Sequence, residues 1–356
     1  MNPRPLSFSP RRLALPIALA LLTPLSGAQA GRYSLVWDDF KNGLTTGSPT
    51  AKWFHFGFGP YVGTDGVATP TPNGVRVAPP GVNPSTGLPA FSLTLGQEGD
   101  PIDNPFGLPG GLDHVKWLVF ANHLSSAGVP GFDAVPGREL VFEAWVSGRS
   151  YGNEFHPFGS AVADPDDDIR LANAAMPTID FETLLVADFF LTNKRIYVLY
   201  ERLPFAQTPS NPYAAFTYAI PVAQRLPHQQ HHLSIAYDRS ANTIRWLVGG
   251  KEVFRVTQPG HRLASREHMV IDHGGVDQLV ECRQRNVGFG LFTLLDAANP
   301  GQPGLVKLST APNFYFETGL GSPTPQSFVD PLSQSGSRIW GAGAELRINK
   351  VKVSSK

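Results

Sequence analysis

Two carboxylates, Asp180 and Glu182, stand two residues apart in the apolar run Thr178-Ile179-Asp180-Phe181-Glu182 of this 356-residue chain. In an extended strand the period of two puts Thr178, Asp180 and Glu182 on one face and Ile179 and Phe181 on the other. If the carboxylate face lines a cleft, desolvation and mutual repulsion raise one of the pair toward the range of a general acid. The opposing expectation is a solvent-facing pair on an outer strand with Ile179 and Phe181 in the core. A third acid, Asp168, lies upstream in Asp164-Pro165-Asp166-Asp167-Asp168-Ile169-Arg170. Acids at 164, 166 and 168 have the spacing of a calcium loop, but Pro165 interrupts it and neither the glycine nor the bidentate Glu of such a loop follows. The segment reads either as a solvated acidic loop or as the source of a carboxylate, Asp168, that opposes Glu182 across a cleft.

Other chemistries find less support. His228, His231 and His232 form one cluster, and His268, Asp272 and His273 another, but neither has the spacing of a zinc site, so no metal centre is expected. His156 and His55 stand near aromatic residues in loop-like surroundings and are better suited to proton or sugar contacts. Trp53, Tyr61, Trp117, Tyr151, Tyr197 and Trp340 offer rings that can stack on a pyranose, although most such rings belong to a core. The glycines at 107–111 and in Gly57-Phe58-Gly59 do not sit between a strand and a helix, as a phosphate cradle requires. A G-x-S-x-G elbow is absent. Cys282, the single cysteine, leaves no intramolecular disulfide and reads as a small buried hydrophobe.

The elements that must position these residues are short strands. The chain carries 36 Gly and 33 Pro, interspersed among apolar runs instead of gathered in low-complexity tracts. Alternation is clear over 74–77, 91–95, 140–146, 196–200, 232–237 and 243–248. Gly249-Gly250 between two such runs, the second at 251–256, marks a two-residue hairpin. No sustained helical period appears; at most, helical turns are expected at Leu263–Val270 or Val222–Arg225. The pattern predicts an all-β fold, one antiparallel sandwich that opens near Tyr33 and closes around Leu346–Val353 beside strands of the N-terminal half. Irregular stretches near 97–115, 147–177, 204–215 and 296–338 are long loops, where function tends to reside.

Charge and the N-terminus bound the rest. The 29 Lys and Arg balance 29 Asp and Glu without a basic cluster, which argues against nucleic acid as a partner. Arg4, Arg11 and Arg12 precede an apolar run at 13–22, and Ala28-Gln29-Ala30 completes an export signal over residues 1–30. That run is too short for a membrane span. The expectation is therefore a secreted or periplasmic monomer with one domain over 31–356, no membrane span and, once the leader is removed, 26 basic against 29 acidic residues.

Three segments in order resemble the concanavalin A-like jelly-roll superfamily, in particular glycoside hydrolase family 16. They are Val36-Trp37-Asp38-Asp39-Phe40 with Lys52-Trp53, then His231–Val256 with its Gly-Gly turn, then Ala344–Val353. The resemblance implies a concanavalin A-like jelly roll and a polysaccharide or oligosaccharide partner. The family's E-x-D-x-E strand is matched by Thr178, Asp180 and Glu182, so Asp180 takes the place of the assisting residue and Glu182 that of the acid/base, while Thr178 replaces the nucleophile. The resemblance implies no cofactor beyond a structural calcium ion near Asn349, where Asn in place of the family's Asp weakens such a site. On this reading Asp180, Glu182 and Asp168 carry catalysis, and His156, Tyr197, Arg170 and Trp53 hold substrate. The alternatives are a polysaccharide lyase on the same fold, with Tyr, His and Arg as its working residues, and a glycan-binding or envelope protein that has lost catalysis with the first Glu.

Overall fold

The structure, a computed structural model, describes residues 31–58, 61–92, 115–156, 160, 162–272, 274–293 and 341–356, with short strand segments at 295–297, 303–305, 316–317 and 324–325. Residues 1–30, Trp340, His273 and the glycines at 107–111 lie outside the described residues.

Period-two segments rich in β-branched and aromatic residues pair into two large antiparallel sheets. The smaller has eight strands, in the order Lys251–Val256, Thr243–Val248, His231–Asp238, Glu139–Tyr151, Gly343–Ser355, Gly74–Ala78 and Val67–Thr71, with Tyr33–Asp38 also on Gly343–Ser355. The larger has ten. Its order is Trp53–His55, Val115–Ala121, Gln284–Phe292, Asn173–Met176, Leu185–Leu191, Arg195–Arg202, Phe216–Gln224 and Met269–Asp272. Phe132–Asp133 adds to Gln284–Phe292, and Thr178–Asp180 pairs with both Leu185–Leu191 and Gln284–Phe292. This is the antiparallel jelly-roll sandwich that the strand pattern and the resemblance led us to expect. The closing strand sets Val353 opposite both Leu35 and Phe142, so the first and last described strands meet in one sheet.

The Gly249-Gly250 hairpin forms as expected: Val248 pairs with Lys251, and both glycines have positive φ, 59° and 80°. Two positive φ values in succession are the geometry that matches the twist of the flanking strands. The expected helical turns do not form. Phe216–Gln224 stays extended through Val222, and Met269–Asp272 takes the end of the other segment into the larger sheet. Cross-strand pairing outweighs weak helical propensity in both. A 3-10 turn spans Asn153–Phe155, and among the described residues no helix is long and apolar enough to cross a membrane.

The core between the sheets contains Trp53, Trp117, Phe142, Leu233, Trp246, Phe289 and Val353, each under 2% exposed. Trp246 also ties the layers together, its indole N–H donating to the Asp188 carbonyl oxygen at 3.0 Å. The two outer faces differ. On the smaller sheet, residues between the core positions form a charged lattice in which Glu345 meets Arg76 at 2.6 Å and Arg347 at 2.7 Å, and Arg245 meets Glu139 and Glu252. On the larger sheet, those positions form a second apolar cluster that includes Leu118, Phe120, Ala175, Ile179, Val186, Phe190, Tyr197, Leu199 and Phe292.

Gly74 marks where the hairpin edge meets the closing strand, at φ 145° and with space for a Cβ only 2.1 Å from the Ile348 carbonyl oxygen. Gly74→Ala is expected to destabilise the protein by at least about 2 kcal/mol, read as a fall in Tm, because neither backbone can yield without breaking the ladder.

Candidate functional site

Strand parity decides which carboxylates can meet a ligand. Ala174 and Met176 belong to the core between the sheets, and two-residue steps along the same course bring Thr178 and Asp180, both 0% exposed, to that inner side. Ile179 and Phe181 belong instead to the outer apolar cluster. This reverses the expected facing. Asp180 accepts hydrogen bonds from the Glu182 N–H at 3.1 Å, the Thr183 hydroxyl at 2.7 Å and the Gln284 amide at 2.7 Å, and so caps the turn after its strand. Thr178, in the nucleophile's place, donates to the Ala187 carbonyl oxygen at 2.6 Å and accepts from fully buried Arg285 at 2.9 Å. It is a structural hydroxyl.

Glu182 lies in the turn beyond the strand and not on it. Arg283 grips both its carboxylate oxygens, and the Gln284 amide donates to it at 2.5 Å. The Arg283 hydrogen bonds hold the Glu182 carboxyl below the usual range, with help from Gln284 and against a smaller opposing effect of burial. The expected rise is thus replaced by a fall, because the charged form has a cation on it. An ionised carboxylate held in this way is a poor proton donor near neutral pH.

The other expected site residues divide into groups. Asp168 is gripped by Arg170 through Nε at 2.9 Å and Nη2 at 2.6 Å. His156 lies within electrostatic reach of both; burial lowers its pKa first, with Asp168 opposing. The Tyr197 hydroxyl donates to the neighbouring Asp167, at 2.9 Å to its carbonyl oxygen. Thus His156, Asp168, Arg170 and Tyr197 gather at one rim of the larger sheet. Its acidic loop is charge-paired and not simply solvated: Lys194 meets Asp164 at 2.7 Å and Arg195 meets Asp167 at 3.0 Å. Glu182 is not part of this rim. The loop binds back to Thr192 and Asn193, just past one end of Leu185–Leu191, whereas Asp180 caps the turn before its other end. A seven-residue strand separates them by roughly 20 Å, so Asp168 does not oppose Glu182 across a cleft.

Trp53, expected to hold substrate, is 0% exposed in the core. Its indole donates to Asp38 at 2.7 Å and its ring stacks on Phe40, so it packs the sandwich and cannot reach a sugar. Trp117 is likewise buried. His231 is buried beside Arg225, and burial first, then that cation, depress its pKa to about 4. His232 stacks on Trp145. Among the described residues no group of three or more His, Cys, Asp or Glu is placed to hold a metal ion.

Two further carboxyl groups, which no motif in the sequence marks, lie on the outer face of the larger sheet. Asp188 pairs with Leu199 and Glu201 with Val186, so the carboxyls sit diagonally on neighbouring strands among Val186, Phe190 and Leu199. Diagonal neighbours are about 7–8 Å apart at Cα, within reach of long side chains. Asp188, 5% exposed, accepts the Thr178 N–H at 2.9 Å, and Glu201 accepts the Thr217 hydroxyl at 2.5 Å. Burial pushes Glu201 up to about 7, with the Thr217 hydrogen bond opposing. Burial, then the charge of Glu201, raises Asp188 well above the usual carboxylate range. Around the pair the face is aromatic, with Phe120 5.3 Å from Phe181 and Phe190 5.1 Å from Phe292 between ring centres. The available sequence signal was Asp188 itself, a lone charge inside Leu-Val-Ala-Asp-Phe-Phe-Leu.

These shifts have a thermodynamic sign. Because the folded state raises the Glu201 pKa from 4.5 to about 7, the stability tied to its proton is complete below about pH 4.5 and is lost as pH rises through about 7. Tm of the unaltered protein relative to Glu201→Gln is therefore expected to fall between about pH 5 and 8. A constant difference across that window contradicts the assignment.

A family model matches residues 37–356. An uncharacterized protein of Acanthamoeba polyphaga mimivirus is 28% identical over 278 residues, covering 59% of this chain and 62% of the relative, so the chain spans under two thirds of that relative's length. Among solved structures, the chain is similar to apo Crh5 transglycosylase, with 12% identity over 93% of this chain and 87% of that one at a TM-score of 0.37. It is also similar to an endo-1,3-beta-glucanase from Streptomyces sioyaensis, with 12% identity over 67% of this chain and 69% of that one at a TM-score of 0.33. Through the match over residues 37–356, the chain belongs to DUF6081, a family of unknown function.

Proposed function

We propose that this is an exported carbohydrate-active protein that cleaves a polysaccharide or oligosaccharide by acid–base chemistry at Asp188 and Glu201. The observation that carries the reading is the Glu201 carboxyl, held to about 7 beside Asp188, which burial also raises, on an aromatic sheet face. Glycoside cleavage needs one carboxyl that delivers a proton to the leaving oxygen and another that assists attack at the anomeric carbon. A closely spaced pair titrates as a unit, so near neutral pH one proton and one negative charge coexist on it. That combination is an acid and a base in one place. The partly buried Phe54, Phe56 and Phe181 at the margin of this cluster supply apolar area for the C–H faces of sugar rings. Export is supported by the Arg-led apolar leader and its Ala-Gln-Ala end.

The reading moves the acid role away from Glu182, and substitutions separate the two assignments. A pooled polysaccharide screen for new reducing ends, read in parallel for the absorbance of unsaturated products, identifies a substrate and distinguishes hydrolysis from elimination. On that substrate Glu201→Gln and Asp188→Asn are each expected to lower kcat by about 10²–10⁴-fold with folding retained. Glu182→Gln is expected to stay within a few-fold, since the half-exposed Arg283 holds the Glu182 carboxyl ionised and so keeps it from donating a proton. Loss of activity in Glu182→Gln with retention in Glu201→Gln overturns the assignment.

A further inference from the structure

A cavity of about 400 Å³ opens where the Glu139–Tyr151 strand runs into the Asn153–Phe155 turn, lined in part by Leu88, Arg149, Tyr151, Glu154, Asp166 and Asn193. Its volume lies within the roughly 300–1,000 Å³ range of small-molecule sites. It is distinct from the Asp188 and Glu201 face, because Glu345, the hydrogen-bond partner of Tyr151, belongs to the charged outer lattice of the smaller sheet.

The charges around this cavity do not balance. Arg149 is the cation in its lining, and that guanidinium lies over the Tyr151 ring at 4.9 Å and hydrogen-bonds His228 at 3.2 Å. Glu154 is exposed and has no ion-pair or hydrogen-bond partner among the described residues. Asp166 accepts the Asn193 amide at 2.8 Å through one oxygen, while the nearby Lys194 is committed to Asp164 at 2.7 Å. Two carboxylates therefore line the cavity with one cation, Arg149, while the charge of Lys194, bonded to Asp164, also reaches Asp166. A negative cavity of this size favours a compact cationic ligand. Leu88, 37% exposed, adds an apolar patch beside these polar groups.

We propose that this cavity binds a hexosamine unit, a hydroxyl-bearing ring with a primary ammonium, which Glu154 and Asp166 would hold by charge-assisted hydrogen bonds. Such bonds are roughly twice as strong as neutral ones, and replacing the ammonium by a hydroxyl or an acetamide removes them. Calorimetry or NMR titration with free glucosamine, N-acetylglucosamine and glucose at about pH 6 tests this without any turnover. Glucosamine is expected to bind at least tenfold more tightly than the other two, and Glu154→Gln to weaken it at least tenfold while leaving glucose unchanged. Asp166→Asn, which keeps an acceptor for Asn193, is expected to weaken it in the same direction. No binding of glucosamine at millimolar concentration, equal binding of glucose, or full binding by Glu154→Gln overturns the proposal. Because the readout is binding alone, each of these results is independent of whether Asp188 and Glu201 cleave a glycan.

Discussion

In the larger sheet, alternate side chains of Leu185–Leu191 and Arg195–Arg202 enter the space between the layers, and those between them turn to the outer face. Leu185, Ala187, Phe189 and Leu191 go inward with Ile196, Val198 and Tyr200, and this inward set anchors the sandwich. The same alternation commits Asp188 and Glu201 to the outside. Moving either carboxyl inward would take a one-residue slip of the pairing, which would expel a whole row of core side chains. The position of the candidate acids is thus a consequence of core packing.

The outer surroundings then set their chemistry. On the smaller sheet, acids such as Glu345 and Glu139 meet arginines directly and serve a charged surface. Among the described residues no guanidinium hydrogen-bonds Asp188 or Glu201; they meet a backbone N–H and a hydroxyl among apolar and aromatic side chains, and the charge of Arg285 opposes the rise at Asp188 only as the smallest effect. Desolvation without a counter-charge favours the neutral acid, and a second carboxyl nearby strengthens the effect. Glu182 shows the opposite arrangement within the same sheet, with Arg283 holding it ionised. Two acids of one residue type therefore diverge because one meets a guanidinium and the other does not.

Much of the fold was legible in the chain. The Gly249-Gly250 hairpin, the strands at 74–77, 140–146, 196–200, 232–237 and 243–248, and the closing strand all follow from period-two patterning and turn residues. The site was not legible, for a physical reason. The strand pattern fixes which residues share a face, but Leu185–Leu191 is buried on both faces, and Ile179 and Phe181 are as apolar as Ala174 and Met176. Hydrophobicity then does not say which face is the core. For that reason the pattern alone puts Thr178 and Asp180 on the cleft face, whereas they lie on the inner side. Trp53 shows a related limit, since a ring suited to stacking on sugar is equally suited to filling a sandwich. Pairing across strands, which brings Glu201 beside Asp188, connects positions whose proximity depends on register.

The central claim, that the outer face keeps a proton on its carboxyl pair near neutral pH, is tested most directly by carboxyl ¹³C NMR titration of the intact protein, with Glu201 and Asp188 assigned by substitution. The account predicts that the Glu201 resonance titrates near pH 7 and that Asp188 is still protonated where exposed carboxylates have ionised. Titration of both resonances near pH 4, the ordinary carboxylate range, contradicts it.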